Sequence, residues 1–154
     1  MKTIYLLSES VLVIVLLVTG CAKVNKTNND RMGLKETDRY YSDMSEKEGR
    51  NAALIAMFDS SGVMLRENSM PVEGIAAIRN QLLMHSDTSY TLKWEPLFAD
   101  SSGILGYTYG TWTLTSSTLK EFLDEGTYVT IWKKDRNGHW KATLDTGNDG
   151  LKEN

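Results

Sequence analysis

The chain has 154 residues, 41% of them hydrophobic and 24% charged, with a formal net charge of −3 and a single cysteine. That length holds one hydrophobic core and is short for two ordinary domains. Without a basic block there is no phosphate-neutralising surface, so nucleic acid is not an expected partner, and one cysteine excludes an intramolecular disulfide.

Met1-Lys2-Thr3 carries one positive charge and leads into an apolar stretch whose uninterrupted core runs from Val11 to Val18, after the irregular Glu9. This run is far shorter than the roughly 20 residues a membrane-spanning helix needs, so it reads as the core of an export signal. Val18-Thr19-Gly20-Cys21 follows directly and resembles the lipobox of bacterial lipoprotein precursors. The resemblance implies removal of residues 1–20 and lipidation of Cys21, with several acyl chains giving stable attachment at about 0.8 kcal/mol per buried CH2. Ala22 in the next position implies an outer-membrane lipoprotein facing the periplasm. Residues 21–33 are polar and read as a flexible tether.

A single domain is expected over residues 34–148, with a polar tail at 149–154. From Leu34 to Phe58, apolar positions recur at three and four residues and predict one bent helix or two helices meeting near Gly49. Asp59-Ser60-Ser61-Gly62 reads as the break, Val63-Met64-Leu65 as a short strand, and Ile75, Ile78 and Leu82 as the apolar side of a short helix. Four aromatic and β-branched runs follow: Tyr90 to Leu97, Ile104 to Leu114, Thr127 to Trp132 and Trp140 to Leu144. Asn137-Gly138 is a hairpin signal, and Thr115 to Gly126 reads as a polar connection. Helices followed by a sheet make an α+β arrangement.

These segments resemble the nuclear-transport-factor-2-like superfamily, within it the SnoaL-like and ketosteroid-isomerase-like branch. The resemblance lies in Met57 to Met64, Pro71 to Arg79, Gly106 to Trp112, Tyr128 to Lys134 and Trp140 to Asp145. It implies a cone-shaped fold, in which a strongly curved antiparallel sheet packs against N-terminal helices around a pocket, and a homodimer formed through the outer sheet face. Gly106 and Gly110 are expected bending points.

Within that frame the expected pocket is lined by Met64, Glu67, Trp94, Tyr107, Tyr109, Tyr128, Trp132 and Asp145, with rings as an apolar wall and hydroxyl and carboxylate groups to orient a ligand. The leading expectation is a small apolar or aromatic ligand. The alternatives are an isomerase, dehydratase or cyclase using Asp145 as acid or base with Tyr109 beside it, and a non-enzymatic dimerisation or partner-binding role. The aspartate base of ketosteroid isomerases would fall near Leu65, which cannot accept a proton, and Tyr40 or Tyr41 lies near their tyrosine. His85 and His139 lack ligand spacing and no glycine-rich phosphate loop is present, so neither metal nor cofactor is expected.

Overall fold

The computed structural model describes residues 26–150. The export signal and Cys21 therefore lie outside the described residues. Helix α1 (Lys26–Glu48) and helix α2 (Arg50–Met57) are followed by strand β1 (Phe58–Leu65), strand β2 (Val72–Glu73) and helix α3 (Ile75–Leu83). Four long strands complete the domain: β3 (Tyr90–Ser102), β4 (Leu105–Ser116), β5 (Phe122–Lys134) and β6 (Trp140–Asp149). The break between α1 and α2 falls at Gly49, whose φ of 98° suits glycine. Helix α1 begins at Lys26, so the end of the stretch read as tether is helical. The Asp59 to Gly62 segment belongs to β1 as an irregular stretch and does not break the chain between elements. Likewise the connection between β4 and β5 is shorter than the sequence suggests, because β5 already begins at Phe122.

The six strands lie in the order β2-β1-β6-β5-β4-β3. This linear order corrects the expected strongly curved, cone-shaped sheet. The sheet is open, with β2 and β3 as separate edges, and it is not strongly curled. It is also not wholly antiparallel, since β1 pairs with β6 in parallel. Gly106 and Gly110 do not serve as corners of a curl. Both face inward, where an added Cβ on Gly106 would lie 2.6 Å from Leu34 Cδ2 and one on Gly110 would meet the Glu95 carbonyl and sit 2.9 Å from Tyr128 Cε1. Their missing side chains make room for α1 and for a ring.

The core lies between the helices and the inner sheet face, with Leu34, Met57, Met64, Ile78, Trp132 and Ala142 almost wholly buried. Helix α1 also buries a polar stripe, Asp38, Ser42 and Ser45, at helical spacing. Ser42 Oγ donates to the Trp94 carbonyl at 2.6 Å and accepts the Trp94 N–H at 2.8 Å, while Ser45 Oγ donates to the Leu92 carbonyl at 2.7 Å. These bonds satisfy backbone groups along the exposed edge of β3 that another strand would otherwise pair.

Gly110→Ala is expected to cost about 2 kcal/mol of stability through overpacking against backbone. Urea unfolding checks this, and an unchanged midpoint would show that the strands can part without loss.

Candidate functional site

Between α2, α3 and the inner face of the sheet lies a pocket of about 250 Å³. Its apolar wall comes from Leu54 and Met57 of α2, Leu82 of α3, Leu92 of β3 and Leu114 of β4, with the rings of Tyr90, Trp94, Trp112 and Tyr128. Strand register explains which rings arrive here. Trp94 pairs with Trp112, and Gly110 pairs with Tyr128, so these residues share the inward face.

Arg66, Glu67, Thr130 and Asp145 form the polar end of the pocket. Arg66 donates from one terminal nitrogen to Asp145 Oδ2 at 2.9 Å and from the other to the Leu65 carbonyl at 2.7 Å. Thr130 Oγ1 donates to Asp145 Oδ1 at 2.7 Å. Both carboxylate oxygens of Asp145 therefore hold a donor. A bulge puts the aspartate there: Ile131 pairs with Leu144 but Trp132 pairs with Ala142, so one extra residue shifts the alternation and turns Asp145 inward with Ala142.

Behind the ring wall is a second buried carboxylate. Asp38 of α1 is fully buried and accepts Trp94 Nε1–H at 2.7 Å on one oxygen and the Tyr128 hydroxyl at 2.7 Å on the other. Burial pushes the Asp38 carboxyl up from 3.8 to about 6, against the opposing pull of hydrogen bonds from Tyr128, Thr108 and Trp94, and the charge on Asp145 raises it further. Burial also raises the Tyr128 hydroxyl, with the Asp38 charge adding to the effect. Tyr128 thus remains a neutral donor to Asp38.

Of the residues expected to line the pocket, the structure brings together Glu67, Trp94, Tyr128 and Asp145. Tyr107 and Tyr109 do not join them. They pair with Ile131 and Val129 on the outer face, are 42% and 43% exposed, and pack beside Phe98 at ring separations of 6.0 and 5.5 Å. Tyr109 thus cannot assist chemistry at Asp145. Met64 is buried in the core, and Trp132 is fully buried, its Nε1–H donated to Thr108 Oγ1 at 2.8 Å and its ring stacked on Tyr41. Neither reaches the pocket. Asp38, Arg50, Arg66 and Trp112 went unrecognised in the sequence. For Asp38, the available signal was its place on one helix face with Leu34, Tyr41, Ser42 and Ser45.

His85 and His139 are exposed, and among the described residues no cluster of His, Cys, Asp or Glu could hold a metal ion. No described helix is long and apolar enough to cross a membrane.

No protein-family model and no curated protein matches the sequence. Solved structures match the fold. An NTF2-like protein of unknown function from Pseudomonas putida aligns with TM-score 0.69 at 8% identity, over 82% of this chain and 90% of that one. A ketosteroid isomerase-like protein from Erwinia carotovora atroseptica aligns with TM-score 0.67 at 13% identity, over 81% and 99%. A structure from Catenulispora acidiphila in complex with S-DNPA aligns with TM-score 0.62 at 8% identity, over 77% and 91%. The chain thus has the nuclear-transport-factor-2-like fold, and at these identities the likeness extends to fold alone.

Because the Asp38 carboxyl is raised on folding, the native state holds a proton more tightly than the unfolded chain between about pH 3.8 and 6. Its contribution to stability is therefore greatest below that window and is lost as pH rises through it. Asp38→Asn, which keeps an acceptor for Trp94 but cannot ionise, should gain stability relative to the native chain as pH increases from 4 to 7. Urea unfolding of both at several pH values measures the difference, and parallel profiles would contradict the burial cost assigned to Asp38.

Proposed function

We propose that this chain is a lipid-anchored envelope protein that holds a small, mainly apolar or aromatic molecule in the pocket between its helices and sheet. Cys21 would carry the anchor, after removal of residues 1–20, at the periplasmic side of the outer membrane. The observation that carries the ligand reading is the pocket itself: an apolar and aromatic wall with Arg66, Thr130 and Asp145 converging at one end, the composition expected of a small-molecule site. The similar structure from Catenulispora acidiphila was solved in complex with S-DNPA, which supports the same reading.

Binding is favoured over proton transfer by the engagement of Asp145. Its oxygens are occupied by Arg66 and Thr130, so the group presents a fixed acceptor and holds the guanidinium in place. An isomerase, dehydratase or cyclase role for Asp145 would require that pair to open.

Anilinonaphthalene sulfonate is a suitable probe, because its rings match the wall and Trp94 and Trp112 report on contact. Leu114→Trp, which fills the space from β4, should weaken saturable dye binding at least tenfold while lowering the free energy of unfolding by no more than about 3 kcal/mol, the usual range for an enlarged side chain. Unaltered dye affinity would place binding elsewhere and remove support from this pocket.

A homodimer is a second reading, favoured by a specific observation: Phe98, Tyr107, Tyr109, Val129 and Ile131 form an exposed apolar area on the outer sheet face. Such contiguous areas mark interaction surfaces. Tyr109→Lys with Ile131→Lys should convert the protein from dimer to monomer in sedimentation equilibrium. A native chain that stays monomeric at high micromolar concentration would contradict this reading.

A further inference from the structure

Behind the pocket wall lies an acid that takes no direct part in holding a ligand. Asp38 is fully buried. Its two oxygens accept the Trp94 Nε1–H and the Tyr128 hydroxyl, each at 2.7 Å, and the rings that carry these donors line the pocket. The carboxylate is thus one aromatic ring away from the space a ligand would fill.

The groups that face Asp38 set it apart from Asp145. Trp94 approaches from β3, Thr108 from β4 and Tyr128 from β5, all of them uncharged, and the charge felt from β6 is the like charge of Asp145. The buried residues of α2, which packs on α1, are Asn51, Ala53, Leu54 and Met57 and bring no charge either. On α1 itself, the neighbouring Arg39 turns outward to pair with the exposed Glu95. Asp145 has the Arg66 guanidinium on one oxygen, whereas among the described residues no cation donates to Asp38. Its charged form therefore depends on neutral dipoles and on solvent reaching the far side of the rings through the pocket.

We propose that an uncharged, mainly apolar ligand binds this pocket together with a proton that Asp38 takes up from solvent, an inference that rests on the pocket reading above. Filling the pocket replaces solvent with hydrocarbon beside Trp94 and Tyr128, which raises the cost of the Asp38 charge and leaves the neutral acid almost untouched. By linkage, whatever factor the ligand adds to the hold on the proton, the proton adds to the hold on the ligand. Burial already pushes the carboxyl to about 6 in the free protein, and occupancy pushes it higher. Affinity is therefore lowest in base, rises as pH falls through neutrality, and levels off below about 6.

N-Phenyl-1-naphthylamine tests this on the full chain, since it is apolar, fluoresces in apolar surroundings and stays uncharged in weak acid and weak base alike. Its affinity should be about fivefold higher at about pH 5 than at about pH 8. Calorimetric titration near neutral pH, in two buffers of different ionisation enthalpy, should show net proton uptake on binding. Asp38→Asn cannot ionise and should lose the difference between the two pH values. Tyr128→Phe keeps the ring in the wall but removes a donor that favours the charged form, so the dependence should persist with its midpoint moved to higher pH. Binding that responds to Leu114→Trp yet is equal at both pH values, without proton uptake, overturns the proposal and leaves the pocket standing. A difference that survives in Asp38→Asn assigns the proton to another group and overturns it too. Should Asp38→Asn not fold, an unmoved midpoint in Tyr128→Phe has the same force. Absence of saturable binding at every pH removes the pocket reading and this proposal together.

Discussion

The carboxylate of Asp38 is the contact on which the arrangement depends. It sits in the interior of the protein, where an unpaired charge would be prohibitive, and it is tolerated because Trp94 and Tyr128 donate to its two oxygens. Those donors belong to β3 and β5, so a single group on α1 ties the helix to two strands that are not neighbours. Trp94 and Tyr128 also form part of the pocket wall. The tie that seats the helix therefore sets the position of the rings against which a ligand would pack.

The open sheet makes this anchoring necessary. A closed barrel has no edges, whereas β3 here presents unpaired backbone groups that must be covered. Ser42 and Ser45 cover them from α1, and Asp38 continues the same stripe into the interior. The pocket accordingly lies in the gap between this sheet and the shorter helices α2 and α3, with the ion pair of Arg66 and Asp145 at its polar end. Asn51 holds α2 against the end of α3 by donating to the Leu82 and His85 carbonyls, so the helical side of the gap has its own polar fastening.

Much of the element order was legible in the residues. The break at Gly49, the helix carrying Ile78 and Leu82, and the hairpin at Asn137-Gly138 follow from local backbone chemistry and periodicity, which a sequence displays directly. Facing was harder to read. Alternation groups Tyr107 with Tyr109 but does not say which strand residues they oppose, and the pairing of Tyr128 with Gly110 sends both tyrosines to the outer surface. The bulge near Thr143 reverses the parity of β6, so the inward turn of Asp145 depends on a defect in pairing that composition does not reveal. Sheet curvature is likewise a property of the whole assembly, and glycines that look like bending points proved to be places of close approach. Asp38 was overlooked because a carboxylate on a helix ordinarily faces water. Its partners, a tryptophan and a tyrosine 56 and 90 residues away, are apparent only once the strands are assembled.

The most direct test is a crystal structure of the protein as purified, inspected in the space between Trp94, Trp112 and Asp145. The account predicts an open cavity with density for a guest whose apolar part lies on the two indole rings and whose polar group reaches Arg66 or Thr130. Collapse of Leu82 and Leu114 onto Trp112, leaving no space beside the ion pair, would contradict it.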